Sequence, residues 1–264
     1  MKKILNINDT TLFKNLNFYE YDQIIFSNKK SLTIINEPKL KSDHDLSIIL
    51  NDYSDVKILN LYTDNFKNKN FNIKINIELN YKSNLDYHNL DISNDNNLNY
   101  KKIFELKKEW ATVNYNSASL SFNNDEKNTE LSFLHNDKKT YSKIQTYSVC
   151  KDKSKYKIKC ISNIKAGSAG SETHQDLRII IFDKQVIASS DPVLIINEND
   201  VIASHANAIG MLDPLQIFYL QSRGLDLNAS KKLICMSYLK KVINHISVEK
   251  LKEELIEKIN VIMN

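Results

Sequence analysis

From residue 103 to residue 205 the chain is a succession of short runs in which apolar and polar residues alternate, with no helical pattern between them. Side chains of a strand point alternately to its two faces, so period-2 alternation marks a half-buried strand. Residues 111–122 (ATVNYNSASLSF) show it best, with Val113, Tyr115, Ala118, Leu120 and Phe122 as candidate inward positions. Runs at 129–134, 142–150, 156–164 and 177–188 follow, and 193–196 and 201–203 complete the series. The turns between them are built from Asn, Asp and Lys, for the chain holds only 4 Gly and 3 Pro among 264 residues. Many short strands at close spacing point to a β-sandwich, a barrel or a solenoid. No exact sequence period separates the three.

Upstream, residues 56–62 (VKILNLY) and 71–81 (FNIKINIELNY) alternate in the same way, whereas 82–100 is dense in Asn and Asp and reads as loop or weak strand. Downstream of 212 the period changes to 3.6. Asp213 is placed to cap a helix, with Pro214 at its first position and Gln216 at its third, and Gly224 is placed to end it. A second helix is predicted over about 228–245, with Leu233, Met236, Leu239, Ile243 and Ile246 near one stripe. A third, capped by Ser247, carries Val248, Leu251, Leu255, Ile259 and Ile262. These textures divide the chain into a β-rich segment 1–102, a β core 103–211 and a helical subdomain 212–264.

Charge and motifs exclude several classes of function. The net charge of +4 is mild and spread. The lysines of 151–159 alternate with other residues, as on a solvated strand face, so the clustered basic patch of a nucleic-acid binder is missing. Three cysteines without C-x-x-C spacing speak against a disulfide framework or a structural zinc site. The N-terminal tract MKKILNINDTTLF lacks a sustained apolar run, and no span suits a membrane, so a cytoplasmic location is expected. No phosphate-binding loop, dinucleotide fingerprint, zinc-protease helix or serine-nucleophile elbow occurs, so no enzyme is predicted and any ATP hydrolysis falls to a partner.

One stretch carries a resemblance. Asp200-Val201, His205, Ile209-Gly210 and Leu212-Asp213 are followed by Phe218, Tyr219, Leu220, Gln221, Ser222, Arg223 and Gly224. In this order they resemble the SufB/SufD family of iron–sulfur cluster assembly proteins, whose pattern is D-D-V-x-C-x-H-G-A-T-x-G-x-L-D and then F-Y-L-x-S-R-G. His174-Gln175 and the Ser190-Asp191-Pro192 run resemble the family's preceding turns. The resemblance implies a mainly β fold, a right-handed parallel β-helix followed by a small C-terminal helical subdomain. It implies a non-catalytic, SufD-like subunit of the SufBCD complex that pairs with SufB or with itself. Phe218, Tyr219, Leu220, Arg223 and Gly224 would then dock the SufC-type ABC ATPase. His205 would be a ligand for a transient cluster at a partner interface, with no cofactor held stably by the chain alone. Cys150 and Cys160 are weaker metal candidates, because a free cysteine is most often a small buried hydrophobe.

The match is imperfect at the site. The family cysteine is Ala203, and Ser204 and Ala206 replace the glutamates that flank the SufB histidine. One histidine cannot satisfy an iron–sulfur cluster, which takes four protein ligands, mostly thiolates. Two other readings compete: a β-helix enzyme acting on carbohydrate polymers, and an interaction protein whose cluster site has decayed.

Overall fold

The computed structural model describes residues 3–8, 13–27, 31–37, 42–63 and 65–263, so part of the N-terminal tract read for a targeting signal lies outside it. The chain opens with β1 (Ile4–Ile7), β2 (Phe13–Leu16), β3 (Gln23–Phe26), β4 (Leu32–Asn36) and β5 (His44–Leu50). Longer strands follow: β6 (Asp55–Tyr62), β7 (Asn65–Leu79), β8 (Asn84–Asp91), β9 (Asn94–Leu106), β10 (Thr112–Ser121) and β11 (Glu126–His135). The series closes with β12 (Tyr141–Cys150), β13 (Lys155–Ile164), β14 (Ser171–Ile181), β15 (Ile187–Ile196) and β16 (Val201–Met211). Odd-numbered strands form one parallel sheet in chain order, and even-numbered strands form the other. The chain therefore alternates between two facing sheets, rung after rung, and the architecture is a parallel β-solenoid, as the resemblance implied. The sheets continue through position 102, which lies inside β9, so the first rungs belong to the same solenoid as the rest.

Five successive rungs turn the same corner. Tyr53, Lys82, Trp110, Lys139 and Gly170, each just before an even strand, all adopt positive φ. The N–H of each donates to a carbonyl of the next rung, those of Tyr81, Glu109, Lys138, Ala169 and Asp200. A small residue follows each, and Ser54, Ser83, Ala111, Thr140 and Ser171 are all buried. A left-handed conformation costs a non-glycine residue roughly 1–2 kcal/mol. Stacking onto the next rung offsets that cost, which is how a chain so poor in glycine closes these turns.

The solenoid has two apolar layers. Its lumen packs Ile34, Ile58, Leu79, Tyr87, Phe104, Tyr115, Phe133, Ile158 and Leu177. Outside the even sheet lie α2 (Leu227–Ile243) and α3 (Glu249–Ile262), reached through α1 (Pro214–Ser222). There Leu59, Leu90, Ala118, Leu120 and Val149 meet Cys235, Met236, Leu239, Val242, Ile243, Leu255 and Ile259. β10 thus buries both faces over its second half, and Ala118, Leu120 and Phe122 point outward to the helices, not inward with Val113 and Tyr115. The inward places beside them are filled by Ser117, Ser119 and Ser121. The helical segment begins where β16 ends, and its apolar side is continuous with the sheet beneath it.

Several local expectations change. Residues 82–100 are not loop: they hold β8 and the start of β9, whose period is obscured because Asn89 and Asp91 are buried in the interior. The run 177–188 spans the end of β14, a turn and the start of β15. His174, Gln175, Ser190, Asp191, Pro192 and Gly210 lie in strands, not turns, and β16 continues past Ala203 to Met211. Leu233 is exposed, and Cys235 occupies the buried stripe of α2 instead. Asp226 caps α2 through the N–H of Ala229, and Val248, without a side-chain bond, holds the cap position of α3 in place of Ser247.

Candidate functional site: the open last rung

His205 lies in the middle of β16, paired in register with Gln175 of β14. Gln175 is on the lumen side of its strand, with Thr173 and Leu177 two residues to either side. Parallel register preserves this alternation, so Ala203, His205, Asn207 and Ile209 occupy lumen-phase positions above Thr173, Gln175, Leu177 and Ile179. β15 and β16 are the terminal strands of their sheets, and no further rung among the described residues covers them. The exposed apolar side chains Ile187, Ile195, Ile196, Ile202, Ile209 and Met211 are all on these two strands. Asn207 Nδ2 donates across the mouth to the Ser190 carbonyl at 3.3 Å. His205 is therefore an exposed imidazole on the rim of an apolar mouth, inside a strand, where the sequence placed it after one.

A buried polar chain lies beneath it. His135 is bonded on both ring nitrogens, Nδ1 to Thr140 Oγ1 at 2.7 Å and Nε2 to Ser142 Oγ at 2.9 Å. Ser142 donates to Thr173 (2.8 Å), and Thr173 donates to Ser162 (2.8 Å). Since Ser142 spends its proton on Thr173, its oxygen accepts from His135, which assigns the neutral ring's proton to Nε2. Burial pushes the His135 pKa down to about 4, against the opposing hydrogen bond with the Thr140 backbone. Gln175 Nε2 closes the chain on Ser162 Oγ at 2.8 Å, while its Oε1 is buried and has no partner. His174 faces the other side of β14, where its Nδ1 meets Ser204 Oγ at 2.8 Å and its Nε2 lies 3.7 Å from Glu172. A shallow pocket of about 250 Å³ joins His174, Gln175, Asp176 and Arg178 to His205.

The cysteines are not brought to His205. Cys150 ends β12 and Cys160 lies within β13, in different sheets, and both are buried in the lumen core. Burial pushes the Cys150 thiol up to about 12, with Lys127 pulling it down and Asp125 pushing it up. Burial alone drives Cys160 well above the ordinary thiol range. A metal-ligating cysteine is a thiolate, and burial disfavours that form at both positions.

The predicted docking residues lie on and just past α1. Asp213 Oδ1 accepts from the Leu215 N–H at 2.9 Å and caps the helix, and Gly224 follows it with φ of +93°. No residue of α1 is buried: Leu215 is 75% and Phe218 70% exposed. Arg223 rests over the Tyr219 ring. An apolar groove of about 430 Å³ runs between α1 and α2, lined by Leu215, Tyr219, Leu220, Leu233 and Ile234. A helix that spends large apolar side chains on solvent marks an interaction surface.

Asp86, His88 and His245, which no sequence motif marks, are gathered by the fold on the outer face of the even sheet. The only local signal was a D-x-H pair in a segment read as loop or weak strand. No helix of the described residues is long and apolar enough to cross a membrane.

The sequence matches the family described as SUF system FeS cluster assembly, SufBD core domain, over residues 17–238. The likeness thus begins well before residue 100. The iron–sulfur cluster assembly protein SufD of Bacillus subtilis is 29% identical over 123 residues, 47% of this chain and 28% of that protein. SufD of Escherichia coli is 23% identical over 155 residues, 59% of this chain and 37% of its own. A SufBD family protein of Mycobacterium leprae is 32% identical over 90 residues, 34% of this chain and 23% of that one. In each case well over half of the relative lies outside the match.

Proposed function

The chain belongs to the SufBD core family of the SUF system for iron–sulfur cluster assembly, and from that premise we propose that it acts as a SufD-like, non-catalytic subunit of an assembly complex. The observation that carries this reading is the uncovered last rung. A solenoid terminus exposes unpaired backbone groups and the cross-section of its core, and such ends are capped or paired. Here the rim strands are apolar, and they hold no lysine to discourage pairing. A second rung, from a SufB-like subunit or another copy of this chain, would extend both sheets across β15 and β16.

Pairing there would bury His205 between two lumens. Neutral imidazole is a sound ligand for iron, and the unpartnered Oε1 of Gln175 sits one rung below it. The cluster is cargo in this scheme, held for a time by His205 and by thiolates or carboxylates of the partner. Ala203, Ser204 and Ala206 supply neither. The exposed apolar side of α1, with Phe218, Tyr219 and Arg223, would receive a SufC-like ATPase, which contributes the hydrolysis.

Co-purification with SufB-like and SufC-like partners tests the scheme. Ile209→Asp should abolish pairing and spare ATPase binding, and Phe218→Asp should do the reverse. His205→Ala should keep both contacts, leave stability within about 0.5 kcal/mol as for an exposed side chain, and lower the iron and sulfide recovered under anaerobic conditions. Full cluster recovery with His205→Ala, or unchanged assembly in both aspartate variants, would overturn the assignment.

A further inference from the structure

Away from the last rung, three side chains with metal-binding atoms converge where the helical layer meets the sheet. Asp86 and His88 are two residues apart on β8 and so share its outward face. His245 comes from the turn between α2 and α3. One ligand atom from each lies within 4.8 Å of the others, the only such trio among the described residues. His88 Nε2 stands 2.9 Å from Asp86 Oδ2. The rings of His88 and His245 stack with centroids 3.8 Å apart and planes 25° apart.

A second observation is independent of this proximity. His88 has 0% of its surface exposed, yet its Nδ1 has no partner, and its Nε2 has only the Asp86 carboxylate at 2.9 Å. Leaving a buried polar atom unpaired costs roughly 1–3 kcal/mol, and such orphans call for an explanation. By contrast, the other fully buried histidine, His135, is bonded at both nitrogens. The unpartnered Nδ1 of His88 belongs to a ring that lies beside a second imidazole and a carboxylate, and that set suits zinc or ferrous iron.

We propose that Asp86, His88 and His245 bind one divalent transition-metal ion of the zinc or ferrous class. Tetrahedral ligands about 2.1 Å from an ion stand about 3.4 Å apart, so the trio needs to close by little more than an ångström. The stacked rings would turn to aim a nitrogen each at the ion. Asp86 and His245 are partly exposed, which leaves a path in, and water completes the coordination. Lys57, in register with Asp86 on β6, is the competing cation for that carboxylate. The ion would fasten the α2–α3 corner to β8 and so brace the layer that carries α1. This site shares no residue with the last rung and does not depend on the SufD-like reading.

Calorimetric titration of the chelator-treated full chain with zinc tests the proposal, with cobalt as a spectroscopic probe and ferrous iron added under anaerobic conditions. One ion per chain should bind and raise the melting temperature. Loss of a partner that merely orients a ligand weakens metal sites 10–100-fold, so Asp86→Asn and His245→Gln, which remove ligands, should each weaken zinc binding by at least about 100-fold. Both positions are partly exposed, so the metal-free variants should melt close to the parent. His174→Ala, at the surface His174–Glu172 pair, should bind as the parent does. Absence of a saturable site, survival of binding in both ligand variants, or its loss in His174→Ala would each overturn the proposal.

Discussion

The middle of the solenoid and its last rung are built on one plan and end in opposite states. β14 and β16 pair residue for residue, and Leu177 and Ile179 are in register with Asn207 and Ile209. The first pair is buried and the second exposed. Phase along the strand is the same in both, so the difference comes from the presence or absence of the next rung. In a solenoid a residue is made core by its neighbour in the stack, not by its own alternation. The interior can therefore keep side chains that are costly to bury, while the last rung keeps side chains that are costly to expose.

Truncations on either side of this divide should separate most widely. Phe104 is fully buried, stacked on Phe133 at 4.6 Å and edge-on to Tyr87 and Tyr115. Phe104→Ala should cost about 3–5 kcal/mol in urea unfolding of the isolated chain, and Ile209→Ala no more than about 0.5 kcal/mol. Equal losses would show that the last rung is already covered in the isolated chain.

The two interior lysines sharpen the point. Lys127 bonds Asp91 at 3.0 Å and the Ser93 carbonyl at 3.0 Å. Lys102 has only Asn89 Oδ1 at 2.8 Å, within a ring of Tyr62, Tyr87, Tyr100 and Tyr115. Burial pulls the Lys102 pKa down to about 7, with the charge of Asp91 opposing. The folded pKa lies below the unfolded one, so between pH 7 and about 10.5 the unfolded chain binds the extra proton and stability rises with pH. The penalty is complete below pH 7. Lys102→Met should therefore stabilise the protein by a few kcal/mol at pH 6, with Asn60 still donating to Asn89. The gain should shrink toward pH 9, and a gain independent of pH would mean that Lys102 is neutral or solvated throughout.

The smallest effect belongs to α1, which has nothing buried to lose. Asp213→Ala removes its cap and should cost about 1 kcal/mol of local helix stability. Hydrogen exchange should quicken over residues 214–222 while the global unfolding midpoint holds. A shifted midpoint would place α1 within the cooperative core.

Legibility followed physical environment. Strands with apolar lumen faces and solvated outer faces were readable, as in β13, where Lys155, Lys157 and Lys159 alternate with buried Tyr156, Ile158 and Cys160. β8 was not, because its interior positions carry Asn89 in the Asn36–Asn60–Asn89 ladder and Asp91 bonded to Lys127. The second half of β10 misled in another way: α2 buries its outer face, so the apolar residues moved to the opposite parity. The repeat went unseen because it is written in backbone conformation. Tyr, Lys, Trp, Lys and Gly share a positive φ at equivalent corners but no side-chain chemistry.

By itself the sequence determined the β-rich character, the helical C-terminus, the cap at Asp213 and the stop at Gly224, because these depend on neighbours within a few residues. It also pointed to His205, through the order of residues around it. Only the tertiary structure decided that His205 rims an uncovered lumen, that Cys150 and Cys160 are buried in the lumen core, and that Asp86 and His88 meet His245. Those outcomes depend on which rung lies above, which helix crosses outside, and which distant loop returns. They are set by stacking between segments far apart in the chain, and no local pattern of residues records them.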